Sequence, residues 1–194
     1  MKKIILVHGW AGNPENHWFP FLKKEIKKQG SKVIVPKMPG SDTPEINAWV
    51  GFLEEVIENK GGLDEDTYLI GHSIGCQTIM RYLQEADRRC GGVIFVAPWF
   101  NLPYLGTEEE RQIAEPWLEE NIDFKIVREN VKKIVCIFSD NDPDVPLSDS
   151  EIFKEKLGAK IIVEAGKGHF TEDAGIIELP VVIDELIKMS DGRD

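Results

Sequence analysis

Residues 67–76, with the sequence TYLIGHSIGC, decide the fold class of this 194-residue chain. The apolar run Thr67–Ile70 leads into the pattern G-x-S-x-G centred on Ser73, and an amphipathic segment follows it. This is the context of a nucleophile elbow, in which a strained strand-to-helix turn lifts the serine Oγ clear of the sheet. The alternative is a glycine-rich turn in which Ser73 only caps the helix. We predict the elbow, with Ser73 as nucleophile.

The rest of the chain alternates short β-branched runs with longer amphipathic segments. Apolar runs of this length, bounded by Gly or Pro, are typical of strands buried on both faces of a parallel sheet. The predicted strands are Ile4–Val7, Lys32–Val35, Thr67–Ile70, Val93–Val96, Ile134–Phe138 and Lys160–Val163. The predicted helices are His17–Gln29, Pro44–Asn59, Ile74–Ala86, Leu147–Leu157 and Gly175–Met189.

This alternation predicts an α/β fold in which right-handed crossovers place helices on both faces of the sheet. We expect a three-layer α/β/α sandwich with a mostly parallel sheet of about six strands, formed by one domain over residues 1–194. The segment Trp99–Asp123, after the fourth strand, is too long for a plain turn and is rich in aromatic and acidic residues. We predict that it forms a short helical insertion over the sheet edge.

The composition excludes several classes of partner. The net charge is −11, and an acidic surface repels nucleic-acid phosphates and anionic lipid head groups. We therefore predict no nucleic-acid partner. The three cysteines are odd in number and each lies in an apolar stretch, which favours buried, reduced thiols. No apolar stretch is long enough for a signal peptide or a membrane span, so we expect a cytoplasmic protein with no membrane association.

The other members of a catalytic triad should follow Ser73 in the order acid, then histidine. Of the four histidines, His169 alone lies late in the chain, in a glycine-flanked loop after the last strand. The acid comes from the loop after the fifth strand, where the pattern D-x-x-V-P selects Asp142 and leaves Asp140 as the alternative. We predict His169 as the general base and Asp142 as the residue that orients it.

The same acidic loop also resembles a calcium-binding pattern. Counted from Asp140, carboxylates occupy positions one, three and five, and Glu151 occupies position twelve, as in an EF-hand. However, position six holds the β-branched Val145 where an EF-hand needs glycine, and the segment follows a strand rather than a helix. We therefore predict no calcium site here.

The loop after the first strand and the start of the elbow helix should supply amide groups for an oxyanion. The loop contains His8-Gly9-Trp10, and we predict the amides of Trp10 and Ile74 as the two donors. Several aromatic side chains could line an apolar acyl pocket, although plain core packing explains them equally well. The candidates for substrate binding are Trp10, Trp99 and Trp117, with Phe100 and Tyr104 as weaker ones.

These motifs together resemble the α/β-hydrolase superfamily, and within it the small serine hydrolases related to retinoblastoma-binding protein nine. The resemblance extends over nearly the whole chain and rests on His8-Gly9, Asn16-His17-Trp18, Lys37-Met38-Pro39, Gly71-His72-Ser73, Asp142-Pro143 and Gly168-His169-Phe170. It implies a compact sheet, a short insertion, and a triad at Ser73, Asp142 and His169, without a metal or an organic cofactor. The L-x-C-x-E motif that binds pocket proteins is absent, since residues 62–66 are GLDED, and that partner is not implied.

The sequence therefore predicts a serine hydrolase that cleaves small-to-medium carboxylic esters, with amides and thioesters as further candidate substrates. Its only expected partner is a small-molecule acyl substrate. The alternative is a binding protein that uses the same fold with little or no turnover.

Overall fold

A computed structural model of the protein describes residues 1–191. It contains one sheet of six strands, all parallel, in the order β2-β1-β3-β4-β5-β6. The strands are β1 Lys3–Val7, β2 Lys32–Ile34, β3 Thr67–His72, β4 Gly92–Val96, β5 Ile134–Ser139 and β6 Lys160–Glu164. The predicted fold class is confirmed, and each strand lies within two residues of its predicted bounds. The predicted domain range 1–194 includes residues 192–194, which lie outside the described part.

Seven α-helices connect or flank the strands within residues 1–191. They are α1 Phe19–Lys28, α2 Ile46–Glu58, α3 Ile74–Glu85, α4 Glu108–Glu119, α5 Phe124–Glu129, α6 Asp149–Leu157 and α7 Pro180–Ser190. Helices α1 and α7 pack together, and α2, α3, α5 and α6 pack in succession on the other face of the sheet. Among residues 1–191 no helix has the length and apolar character needed to cross a bilayer.

The sheet order places a topological switch point between β1 and β3. The chain leaves β1 toward β2 on one side and later continues from β3 toward β6 on the other. Ligands of open parallel sheets bind in the crevice that such a reversal leaves at the carboxyl ends of the strands. The loop after β1 and the turn after β3 meet at this crevice, which is therefore the expected position of a ligand-binding site.

The apolar runs predict strands buried on both faces, and this holds only in the middle of the sheet. Every residue of β3, β4 and β5 is buried. The edge strands β2 and β6 are partly exposed, and Val163 in β6 remains 48% exposed. An edge strand has a neighbour on one side only, so an apolar run alone does not distinguish it from a central strand.

Four predicted helix starts are wrong, and one of them is that of α6, which begins at Asp149 rather than Leu147. Helix α1 begins at Phe19 rather than His17, and α2 begins at Ile46 rather than Pro44. Helix α7 begins at Pro180 rather than Gly175. A short 3₁₀ helix, Glu172–Ala174, precedes α7 and ends at Gly175 with a left-handed φ of 77°. Proline favours the first turn of a helix because its missing N–H has no acceptor there, and this fixes the start of α7.

The predicted insertion contains α4, and α5 follows directly after it. A capping box starts α4, in which Thr107 Oγ1 accepts from Glu110 N while the Glu110 carboxylate accepts from the Thr107 amide. The buried Arg81 of α3 holds the other end of α4 by donating to the carbonyl oxygens of Trp117 and Glu120. The insertion is therefore anchored at both ends, and the guanidinium suits the negative end of the helix dipole.

Candidate active site

Ser73 lies at the turn between β3 and α3 with a strained backbone. Its φ of 52° and ψ of −121° place a non-glycine residue in a region that L-residues rarely adopt. It occupies the N-cap position of α3, but its side chain makes no capping hydrogen bond. The alternative of a plain capping serine therefore lacks the bond that would define it, and Oγ is not committed to the helix.

Two glycines allow this turn to form. A Cβ on Gly75 would collide with the carbonyl oxygen of Val7 and come within 2.8 Å of the carbonyl oxygen of His8. A Cβ on Gly71 would lie 2.8 Å from the backbone nitrogen of Cys76. Helix α3 therefore approaches the end of β1 more closely than any side chain permits, and this places Ser73 beside the loop after β1.

We expect Gly75→Ala to destabilise the protein by about 1–3 kcal/mol or more, because backbone rather than a flexible side chain must move. Gly51→Ala is the matched control, since Gly51 is an exposed helical glycine of α2 and a Cβ there would meet nothing within 4 Å. That change should be neutral or stabilising by up to about 1 kcal/mol. Urea unfolding of both variants measures the difference, and equal stabilities would refute the close approach.

His169 and Asp142 form a hydrogen-bonded pair. The Nδ1–H group of His169 donates to the Asp142 carboxylate, with distances of 3.0 Å to Oδ2 and 3.1 Å to Oδ1. The side chain of Asp142 is only 3% exposed and that of His169 is 15% exposed. Asp142 Oδ1 also accepts from the amides of Asp144 and Val145, which fixes the carboxylate from behind. This contact directs the proton of the neutral ring to Nδ1 and leaves Nε2 able to accept one.

A second set of contacts joins the loop after β5 to the loop that carries His169. Three consecutive side chains accept from three consecutive amides: Asp140 Oδ1 from Gly166 N at 2.7 Å, Ser139 Oγ from Lys167 N at 3.0 Å, and Asn141 Oδ1 from Gly168 N at 2.8 Å. Asp140, the alternative acid, therefore contacts the backbone of the histidine loop. The sequence did not single out Ser139 or Asn141, although a run of three polar residues directly after a buried strand was the available signal.

His8, which precedes Gly9, and His72, which follows Gly71, are buried and neutral. His72 Nε2–H donates to the carbonyl oxygen of His169 at 2.9 Å, and its Nδ1 is buried without a partner among the described residues. His8 Nδ1–H donates to the carbonyl oxygen of Gly9, and its Nε2 accepts from Met38 N. Burial lowers the pKa of His8 and lowers that of His72 well below the usual range. Neither ring is therefore placed to act as the base, and both hold backbone in position.

A cavity of about 400 Å³ connects these elements at the carboxyl ends of the strands. Ser73 and His169 both line it, as do Trp10, Ile74 and Trp99 among the predicted site residues. The insertion supplies one wall through Leu102, Tyr104, Leu105, Gly106 and Glu110. The structure thus brings together residues that follow β1, β3, β4 and β6.

Trp117 does not line this cavity. Its indole packs edge-on against Trp49, and its Nε1–H donates to the carbonyl oxygen of Pro44 at 3.0 Å. Phe100 also lies elsewhere, stacked on Phe153 in the core. Both side chains therefore pack the insertion onto the rest of the domain. For Trp117 and Phe100 this is core packing, the alternative to lining an acyl pocket.

The predicted oxyanion donors belong to two different segments that line the cavity with Ser73. Trp10 belongs to the loop after β1 and Ile74 is the first residue of α3, and both line the cavity. Within residues 1–191, neither amide donates to another backbone carbonyl. The Trp10 indole is fixed by a hydrogen bond from Nε1–H to the carbonyl oxygen of Asp42 at 2.9 Å. Both amides are thus available to a negatively charged oxygen, and the N-terminus of α3 favours such a charge.

The calcium pattern does not form an EF-hand site in the structure. Within residues 1–191, one group of ligand-type side chains comes together, formed by Asp142, Asp144 and His169. Asp140 and Glu151, at positions one and twelve of the pattern, are not part of that group. Asp142 and Asp144 instead lie beside the His169 imidazole. Asp142 bonds to Nδ1, and Asp144 Oδ2 lies 3.8 Å from the same nitrogen.

Two known proteins, YdeN and the serine hydrolase RBBP9, are similar to this chain over most of its length. The YdeN protein of Bacillus subtilis is 32% identical over 188 residues, which cover 95% of this chain and 94% of YdeN. The serine hydrolase RBBP9 of Rattus norvegicus is 27% identical over 174 residues, covering 87% of each chain. The crystal structure of the B. subtilis ydeN product matches with a TM-score of 0.88 at 30% identity, covering 97% of this chain and 98% of that one.

The family model described as serine hydrolase matches residues 4–188, which include the elbow, the acid loop and the histidine loop. A match over this much of the chain, with the fold and the relatives above, shows the family. The chain belongs to the serine hydrolase family.

Proposed function

We propose that this protein hydrolyses small-to-medium carboxylic esters through an acyl-enzyme on Ser73. The observation that carries the proposal is the hydrogen bond from His169 Nδ1–H to the buried Asp142 carboxylate, in the cavity that Ser73 lines. Membership of the serine hydrolase family supports the reaction class, and the ester substrate is our own inference.

The proposed chemistry has two steps. In the first, His169 Nε2 takes the Ser73 hydroxyl proton as Oγ attacks the ester carbonyl carbon, and Asp142 stabilises the imidazolium that forms. The amides of Trp10 and Ile74 hold the oxyanion, each contributing roughly 3 kcal/mol. The alcohol then leaves with the proton from His169. In the second step His169 deprotonates a water that attacks the acyl carbon, and Ser73 regains its proton.

The insertion and the charges of the cavity favour a particular substrate size and charge. The cavity of about 400 Å³ is covered by a short insertion, which leaves no room for a long enclosed tunnel. Its acidic lining residues are Glu110 and Asp144, and no Lys or Arg is among the described lining residues. Such a field disfavours strongly anionic substrates, so we propose neutral esters with short or medium acyl chains.

We expect kcat/KM for p-nitrophenyl esters to be highest from acetate to about hexanoate and to fall steeply toward palmitate. A rate jump at the micelle threshold should not occur, because the insertion has no long apolar flap that could open onto lipid. The measurement is a chain-length series with and without micelles. A maximum at palmitate, or activation at the threshold, would contradict the proposal and indicate a lipase.

Labelling with a fluorophosphonate separates this proposal from the alternative of a binding protein. An active hydrolase becomes covalently labelled and loses turnover in the same proportion. A protein that binds esters but takes no label and shows no turnover would instead be a binding module on the same fold.

A further inference from the structure

His17 is the one histidine lining the cavity that the proposed mechanism leaves without a role and whose ring solvent can reach. It lies between the loop after β1 and helix α1, and it lines the cavity together with Ser73 and His169. Its backbone adopts a positive φ of 54°, which is costly for a residue with a side chain. Such strain persists only where surrounding contacts hold it, and it concentrates at functional sites.

Glu172, the first residue of the 3₁₀ helix after His169, holds His17 in this conformation. The Glu172 amide donates to His17 Nδ1 at 3.1 Å. In return, the Glu172 carboxylate accepts from the His17 amide at 3.4 Å and from Asn16 Nδ2 at 3.2 Å. The ring also packs edge-on against His72, with centroids 5.7 Å apart. Backbone, ring and Nδ1 are therefore all fixed before any substrate arrives.

These contacts determine which ring nitrogen carries the proton. Because Nδ1 accepts from an amide, a neutral His17 must hold its proton on Nε2. Burial lowers the pKa of His17; the Glu172 and Asp173 carboxylates oppose this and the nearby His169 adds to it, and the net direction is downward, which favours the neutral ring at neutral pH. Within residues 1–191, Nε2 makes no hydrogen bond, and unlike Nδ1 of His72 it is not sealed from solvent. His17 thus carries one unused N–H donor on a side chain that lines the cavity and is fixed through Nδ1.

We propose that His17 is a substrate-binding residue whose Nε2–H donates to a neutral hydrogen-bond acceptor on the ester, an ether, carbonyl or hydroxyl oxygen outside the scissile group. Leu102 and Leu105 line the same cavity, as does Trp99, whose indole is apolar except for an Nε1–H that is buried without a partner among the described residues. A fixed donor in an apolar wall selects for an acceptor, because a substrate with a methylene there leaves the N–H unpaired. This inference rests on the proposed ester hydrolysis and adds the substrate class.

The test uses His17→Asn, which removes Nε2–H and the ring contact with His72 but keeps the backbone contact with Glu172. Asparagine tolerates a positive φ, and its Oδ1 can occupy the place of Nδ1 and accept from the Glu172 amide. His17→Ala is the comparison that loses both functions. Tyr104→Phe is the matched control, since Tyr104 also lines the cavity and also carries a donor.

The substrates are pairs that differ by one oxygen in place of a methylene. They are p-nitrophenyl butyrate and methoxyacetate, p-nitrophenyl pentanoate and 3-methoxypropanoate, and n-butyl and 2-methoxyethyl acetate. For each substrate, kcat/KM of the wild type is divided by that of His17→Asn, which cancels intrinsic reactivity. In at least one pair this ratio should be about threefold to tenfold larger for the ether, the size expected of one neutral hydrogen bond. Tyr104→Phe should show no such difference.

Equal ratios within all three pairs would overturn the inference and leave His17 as a residue that only positions the histidine loop. A difference that appears in Tyr104→Phe instead would assign the donor to Tyr104 and also overturn it. If wild-type protein hydrolyses none of the esters and takes no phosphonate label, the proposed function itself fails. The two failures are thus distinguishable.

A measurement on the wild-type protein keeps the inference testable if His17→Asn fails to fold. For each substrate pair, two phosphonates carrying the ether and the methylene chain are attached to Ser73, and the imidazole Nε2–H proton of His17 is followed by NMR. It should shift downfield in the ether adduct relative to the methylene adduct. Identical shifts in adducts of all the pairs would overturn the inference.

Discussion

Ser73→Ala is expected to abolish covalent labelling by a fluorophosphonate and to lower ester turnover by about 10⁶-fold, the loss found when a triad serine is removed. The reason is that, in the proposed mechanism, Oγ of Ser73 is the atom that bonds to phosphorus or to the acyl carbon. The side chain makes no capping hydrogen bond, so its removal leaves α3 intact. The melting temperature should therefore change by only a few degrees.

Ser148→Ala is the matched control for this change. Ser148 occupies the N-cap position of α6, is exposed, and like Ser73 makes no side-chain capping bond. It lies outside the residues that line the cavity. Labelling and turnover should persist in this variant. Labelling of Ser73→Ala at the wild-type level would place the nucleophile elsewhere and contradict the proposed triad.

The elbow was predictable because local sequence determines it. Gly71 and Gly75 are required by contacts with backbone atoms, so no other residue type fits at either place. The parallel sheet followed from the alternation of apolar runs and amphipathic segments, and the sheet in turn brings the loops after its strands to one edge. These inferences need only residues that are neighbours in the chain or the general geometry of parallel sheets.

The contacts that position His169 were not predictable in the same way. Each joins segments far apart in the chain: Asn141 contacts Gly168, His72 contacts the carbonyl of His169, and His17 contacts Glu172. A sequence pattern shows that a polar residue lies in a loop, but not which amide it meets across the sheet edge. The same limit applies to Trp117, because the direction of the insertion decides whether an aromatic side chain faces the cavity or the core.

The acid of the proposed triad is the assignment that experiment can test most sharply, because the sequence offers two aspartates and the structure gives them different partners. Asp142 and Asp140 are two residues apart and both bond to the histidine loop. Asp142 contacts the imidazole, and its side chain is 3% exposed. Asp140 is exposed, and its side chain bonds only to the Gly166 amide among the described residues. Their different partners predict different consequences of the same substitution.

Asp142→Asn should lower kcat by about 10⁴-fold, because an asparagine amide directs the histidine into the wrong tautomer and cannot stabilise the imidazolium. Asp140→Asn should lower kcat by less than about tenfold, because the asparagine Oδ1 can still accept the hydrogen bond from Gly166 N that the carboxylate accepts in the wild type. Asp140→Ala removes that acceptor, so its activity should fall below that of Asp140→Asn. Steady-state kinetics on a short p-nitrophenyl ester give all three values.

The reverse ranking, with Asp140→Asn the more damaging change, would transfer the orienting role to Asp140. Calcium provides a second check on the same residues, since Asp142, Asp144 and His169 are the one group of ligand-type side chains that comes together within residues 1–191. If Asp142 and His169 act with Ser73 as a triad, the melting temperature should be the same in calcium and in chelator. A rise with calcium that Asp142→Asn removes would show that the carboxylate binds a cation, and the assignment of Asp142 to the triad would then fail.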